Sequence, residues 1–221
     1  MKDRANQFDK DYFRSVEMKY KRYKDLKEMQ RKYFPRSILE EKIKSKSRVL
    51  DIGCAFGYFL KLCDDYNLET YGVDVSKYAI NEAKRITKAK LYLGDINEGL
   101  SVFNNEFFDL VTMFDVIEHL KNPWSLLTEV YRVLRRGGKM IIVTPNINAI
   151  AKLLEKNQWG GFSDPSHFYL FTSDSLRFLV EKAGFLVTRL ETTFYPLPGF
   201  LQKILNRTGK GGEIWLVGKK I

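Results

Sequence analysis

The sequence predicts an α/β fold: a doubly wound sheet of seven strands, mostly parallel, with the last strand antiparallel and a helical cap ahead of it. Two observations carry this. From residue 48 onward, short β-rich runs alternate with amphipathic helical stretches, as strands joined by crossover helices do. At the far end two strand-like runs, 185–194 and 213–219, are separated by an insert with no crossover helix, so the last strand turns back at or near an edge.

Residues 8–46 read as helical, with Tyr12, Val16, Tyr23, Leu26, Met29 and Tyr33 scattered among charges, and Pro35 separating two helices. Residues 47–52 form a buried strand, followed by a glycine-bearing turn and a helix through about Asp65. A second strand spans 70–75, and Ser76 caps a helix through Lys88. Residues 89–93 and 108–114 are the third and fourth strands. Asn122 then caps a helix with Pro123 at its first position. That helix stops at Arg135-Arg136-Gly137-Gly138, where glycine can take the left-handed conformation. The fifth strand is 139–144. After a stretch without periodicity, Thr172 caps a helix with Leu176, Phe178, Leu179, Val180 and Ala183 on its apolar stripe, ended by Gly184. The organisation expected is a helical cap or lid over 1–46 and a core over 47–221, with insertions at about 145–171 and 195–212.

A chain of 221 residues that is 44% hydrophobic fills a core. No run of eighteen apolar residues is present to span a membrane, and the first residues lack the apolar stretch of a secretory signal. Cys54 and Cys63 have no metal-ligand spacing and form no framework of pairs, which fits reduced thiols in the cytoplasm. Residues 1–48 hold sixteen Lys or Arg against eight Asp or Glu, so they carry +8 of the formal +10. Such a segment either docks nucleic acid or another anionic surface, or is a solvated helical face; no RNA-binding or zinc-finger signature decides for the former.

In an open parallel sheet, ligands bind at the carboxyl ends of the strands. Candidate residues gather there. Gly53 and Gly57 follow the first strand, where a missing Cβ lets backbone approach a ligand. Asp74 ends the second strand, able to accept both hydroxyls of a ribose. Asp95 follows the third, placed for the amino group of an adenine, and Phe114 and Asp115 end the fourth. A nicotinamide-binding domain would want G-x-G-x-x-G; the spacing is instead Gly53-x-x-x-Gly57, and Leu60 stands where a small residue would be needed.

Asp-Ile-Gly-Cys-Ala-Phe-Gly at 51–57, Gly-Val-Asp-Val-Ser at 72–76, Gly-Asp-Ile at 94–96 and Phe-Asp-Val-Ile-Glu-His-Leu at 114–120 resemble class I S-adenosylmethionine-dependent methyltransferases, with their Rossmann-like fold. Leu134–Gly138 and His167–Thr172 continue the match. The branch is similar to ubiquinone-biosynthesis O-methyltransferases and their uncharacterised relatives, over about residues 47–190. Ala55 stands where that family often has a middle glycine.

The resemblance implies the cofactor S-adenosylmethionine and a set of roles. The turn Gly53–Gly57, with Cys54, would hold the methionine part and Asp51 its ammonium group. Asp74 with Val75 would take the ribose, and Asp95 with Ile96 the adenine. Phe114, Asp115 and Tyr58 would line the sulfonium.

Methyl transfer needs mainly alignment, with a general base where the acceptor is a hydroxyl. His119 and His167 are the two histidines and the catalytic candidates; each has an alternative role in packing its turn or loop. Asp115, Glu118 and His119 have oxygen and nitrogen donors suited to a divalent ion, but three residues in one turn do not make a site, and no metal is assigned. The acceptor expected is a small molecule methylated on oxygen, the alternatives being RNA or protein docked on the basic segment, or a non-catalytic cofactor-binding protein. The acceptor pocket would draw on the N-terminal helices, 146–171 and 195–212, with Trp159-Gly160-Gly161-Phe162 as a lid or a core cover, and the amphipathic run 197–205 facing substrate, membrane or a second subunit.

Overall fold

The structure is a computed structural model that describes residues 8–12, 26–150, 164–193, 206 and 208–221. Its strands are β1 (Arg48–Ile52), β2 (Glu69–Asp74), β3 (Lys90–Leu93), β4 (Phe108–Phe114), β5 (Leu134–Pro145), β6 (Phe185–Thr193) and β7 (Glu213–Lys220). They form one seven-stranded sheet in the order β3-β2-β1-β4-β5-β7-β6. The chain divides into two compact units, Met1–Thr112 and Met113–Ile221, the boundary falling inside β4. No helix of the described residues is long and apolar enough to cross a membrane.

In the first unit β1, β2 and β3 are parallel, with Asp51 opposite Gly72 and Asp74 opposite Leu93. Val49, Leu50 and Ile52 are fully buried, as expected for a strand covered on both faces. Helix α1 (Tyr58–Asp65) packs Phe59, Leu60 and Cys63 inward. Gly72 makes this possible: a Cβ there would lie 2.6 Å from Leu60 Cδ1 and 2.9 Å from Cys54 Sγ. The small residue that lets helix approach strand is thus on β2, which is why a leucine is tolerated at position 60.

Helix α2 (Lys77–Ala83) starts where expected, with Ser76 accepting the Ala79 N–H at 3.2 Å, but it ends five residues short of Lys88. Asp64 on α1 is the reason. Its Oδ2 takes the Thr87 hydroxyl and, at 2.7 Å, the Lys88 amide, pulling the chain out of the helix. Pro35 also departs from expectation. The helical path runs unbroken through it as π-helical turns Met29–Tyr33 and Pro35–Leu39, with Phe34 itself right-handed helical. Bonds one residue longer than α-helical, such as Glu40 N–H to Pro35 O at 2.9 Å, widen the turn around a ring that would clash in an α-helix.

In the second unit α3 (Pro123–Val133) begins with Asn122 Oδ1 accepting the Ser125 amide, as expected. It stops earlier than the glycines, because Leu134 is extended and fully buried, and its carbonyl takes the Lys220 ammonium at 2.8 Å. The strand therefore starts at Leu134, and Gly137, at φ +75°, turns within it rather than ending the helix. Thr172 and Ser175 close a reciprocal capping box on α4 (Ser173–Lys182), which ends before Gly184 at φ +97°. β7 runs antiparallel to both β5 and β6, and β6 carries a bulge between Val187 and Arg189.

Candidate active site

In the first unit the turn after β1 folds over the end of β2. The Gly53 and Cys54 amides both donate to Val73 O, at 2.8 and 3.2 Å, and the Ala55 amide donates to Asp74 Oδ2 at 2.9 Å. The turn needs three left-handed residues: Gly53 (φ +72°), Ala55 (φ +44°) and Gly57 (φ +73°). Alanine holds that conformation at about 1 kcal/mol, which accounts for glycine being common at the middle position. Gly57 is constrained twice, since a Cβ would also sit 3.0 Å from Ala83 Cβ.

Asp74 closes the arrangement. Its Oδ1 accepts the Ser76 amide at 2.8 Å, so one carboxylate ties the first turn to the second. Burial pushes its carboxyl up from the ordinary value, and the backbone amides of Ser76, Ala55 and Val75 pull partly the other way. Asp51, also buried, accepts the Thr112 hydroxyl at 2.7 Å. Asp95 caps the 3-10 turn Ile96–Glu98 through the Asn97 amide at 2.9 Å. Val75, Ile96 and Tyr58 are half-buried, while Cys54 is buried. Burial pushes both cysteine thiols well up, keeping them protonated and inert.

The donor set fits the implied cofactor. Carboxylates at the ends of β1 and β2 and after β3 are acceptors of the kind that an ammonium, a vicinal diol and an amino group need. Each carboxylate has about four acceptor positions, so the amides already bound to Asp74 and Asp95 do not exhaust them.

In the second unit Phe114 is buried 6.3 Å from the Trp215 ring, and Asp115 takes φ +55° while its amide donates to Val143 O. The next turn, Ile117–His119, is clamped by the loop 164–169. Glu118 O accepts the Phe168 and Tyr169 amides at 2.8 and 3.2 Å, and its buried carboxylate accepts the Thr144 hydroxyl at 2.9 Å.

This clamp brings both histidines together, their rings 4.7 Å apart and edge to face. His119 Nδ1 lies 2.8 Å from Ser166 Oγ and 3.3 Å from Ser166 O. Ser166 in turn donates to Asp164 Oδ1 from its hydroxyl and its amide. Burial, then the neighbouring His167, lowers His119 from 6.5 to about 4. Burial would raise the Asp164 carboxyl, but the Ser166 hydrogen bonds and the two histidines outweigh it and hold it below its ordinary value. Glu118, His119 and His167 offer ligand atoms within 4.8 Å of one another, so the trio available to a cation replaces Asp115 with His167.

Asp164 and Ser166 escaped the sequence reading, as did Asn146. The fully buried Asn146 side chain donates to Gly209 O and Gly211 O at 2.9 and 2.7 Å, while its amide donates to Gly212 O and it bridges Phe171. One residue thus gathers the ends of both insertions. Asp-Pro-Ser-His at 164–167, an acidic residue opening a proline turn beside a histidine, is the signal that would have found the first two. Trp159–Phe162 and the run 197–205 lie outside the described residues.

The model of a family described as a methyltransferase domain matches residues 22–190. An uncharacterised protein of Methanocaldococcus jannaschii is 28% identical over 171 residues, covering 76% of this chain and 72% of that protein. A ubiquinone biosynthesis O-methyltransferase of Cereibacter sphaeroides is 32% identical over 149 residues, covering 62% of this chain and 59% of that protein. The crystal structure of a SAM-dependent methyltransferase from Archaeoglobus fulgidus has the same fold, with a TM-score of 0.73 at 23% identity over 95% of this chain and all of that one.

Proposed function

Since the chain belongs to the methyltransferase domain family, we propose that it transfers the methyl group of S-adenosylmethionine to a hydroxyl of a small molecule. When bound, this cofactor supplies a methyl carbon on a sulfonium, already activated for displacement. The observation that carries the cofactor is the Asp74 carboxylate, buried at the end of β2 and hydrogen-bonded to the turn Gly53–Gly57. Asp51 holds the ammonium, Gly53, Cys54 and Gly57 the methionine chain, Asp74 and Val75 the ribose, and Asp95 and Ile96 the adenine. Tyr58, Phe114 and Asp115 are assigned to the sulfonium side.

His119 receives the proton of the acceptor and His167 borders it. A histidine titrating near 4 is neutral at physiological pH, so it has a lone pair to offer, which a hydroxyl acceptor requires and a more nucleophilic one does not. The O-methyltransferase of Cereibacter sphaeroides supports the same acceptor atom. Free, buried Cys54 and Cys63 support a cytoplasmic setting.

Calorimetry of S-adenosylmethionine with wild type and Asp74→Ala tests the cofactor; absence of binding to wild type overturns it. Turnover of catechol, followed as the demethylated cofactor, tests the acceptor class. A second reading, a polyanionic acceptor, is favoured by the exposed Lys42, Lys44, Lys46 and Arg48. It requires activity that falls steeply with added salt as counterions are released.

A further inference from the structure

We propose that Asp164 and Ser166 are positioning residues, which fix His119 as the Nδ1–H tautomer and so leave Nε2 as the atom that takes the acceptor's proton. This rests on the hydroxyl-acceptor reading above and adds two residues to it.

The tautomer follows from counting hydrogens. Ser166 is 4% exposed and has a single hydroxyl proton. Ionised Asp164 accepts only, and its Oδ1 lies 2.5 Å from Ser166 Oγ, so the hydroxyl proton points at the carboxylate. Toward His119 Nδ1, 2.8 Å away on the other side, Ser166 Oγ is then an acceptor. The Ser166 carbonyl, 3.3 Å from the same nitrogen, is an acceptor by nature. Both contacts require Nδ1–H, and the lone pair of a neutral ring is left on Nε2.

The loop is built to hold this chain. Asp164 also accepts the Ser166 amide at 2.9 Å, an Asx turn with Pro165 setting its φ, and the Phe168 and Tyr169 amides fasten the following residues to Glu118 O. In the proton transfer the acceptor's O–H bond breaks, its electron pair stays on oxygen, and the Nε2 lone pair forms the new N–H bond. Of the charged groups facing the ring, Asp164 and Asp115 favour the imidazolium and His167 opposes it. Asp164 acts through the serine without accepting the proton itself, as a carboxylate orienting a catalytic histidine does.

The chain has two histidines, so ¹⁵N-histidine labelling with His167→Gln for assignment reads the tautomer directly from two-bond ¹H–¹⁵N correlations. Wild-type His119 is expected as Nδ1–H at neutral pH. Ser166→Ala and Asp164→Asn are expected to admit the Nε2–H form and to lower kcat on catechol by about ten- to a hundredfold. The Kd for S-adenosylmethionine should hold steady, and Ser166→Thr should restore both tautomer and kcat. An Nε2–H ring in wild type overturns the proposal without any variant having to fold. Loss of turnover in His119→Gln with none in Ser166→Ala and Asp164→Asn overturns the positioning role alone. Full turnover in His119→Gln overturns the base, and with it the reading on which the proposal rests.

Discussion

The Asp74 carboxylate holds the Ala55 amide through Oδ2 at 2.9 Å, and with the Gly53 and Cys54 amides on Val73 O this bond joins the glycine turn after β1 to the end of β2. Nineteen residues of sequence separate them, yet the turn takes its left-handed shape against that oxygen. The residue proposed for the ribose therefore also helps to shape the turn proposed for the methionine chain.

Asp74→Ala should raise the Kd for S-adenosylmethionine by at least tenfold to a hundredfold, since hydrogen bonds to a charged group contribute about 1.5–3 kcal/mol. Asp74→Asn retains one acceptor oxygen and should fall between. Titration calorimetry gives both values, and an unchanged Kd in the alanine variant refutes the double role.

Two glycines make opposite predictions. Gly72→Ala forces a methyl against Leu60, Leu91 and Cys54, and overpacking of this kind costs roughly 1–3 kcal/mol. Gly94→Ala meets nothing within 4 Å and should change stability by less than about 0.5 kcal/mol. Urea denaturation of the two variants distinguishes them. Equal losses would show that the Leu60 approach to β2 is not tight.

Acid should weaken the fold through His119. His119 titrates at about 4 folded against 6.5 as a model group, so between those values the unfolded chain binds a proton that the folded chain does not. Stability then rises with pH across that window, is fully present above it, and is lost as pH falls, by up to about 3 kcal/mol. The lowered Asp164 carboxyl acts in the same direction at more acidic pH. Thermal melts from pH 4 to 7 should show a shallower slope in His119→Gln. Parallel slopes would count against burial of a neutral ring.

Asn146→Ala should destabilise by about 2–4 kcal/mol, because it takes the donor from the buried Gly211 carbonyl and from the half-buried Gly209 carbonyl. The loss should appear in kcat as well as in Tm if both insertions serve the acceptor. A drop in Tm with kcat and KM unchanged separates the anchor from the chemistry.

The strands were legible because their signal is local. Phe108–Phe114 is an apolar run between polar turns, and the sequence places it to the residue. The caps Ser76, Asn122 and Thr172 were legible for the same reason, each standing just before its helix. The misplaced helix ends depended on partners far along the chain. The end of α2 is set by Asp64, twenty-four residues before Lys88. The early end of α3 answers to Lys220, eighty-six residues on. At the site, Asp74 and His119 were marked by motif. Asp164 and Ser166 fall in a stretch without periodicity, and their role exists only once Ser166 meets a histidine forty-seven residues away.

The bulge in β6 also bears on how readily the border of the sheet pairs with another strand. Among the described strands, β3 and β6 are the two margins of the sheet, where backbone donors and acceptors can recruit a strand from another molecule. β3 presents only four residues, too few for a firm graft. β6 presents nine, with Leu186 52% exposed beside them, and would be an adhesive border if it were flat. The extra residue at Thr188 breaks its repeat after three positions, so an incoming strand loses step before it can zip along the margin. Deleting Thr188 would restore the repeat along that border, and light scattering should then show more self-association in the variant than in wild type.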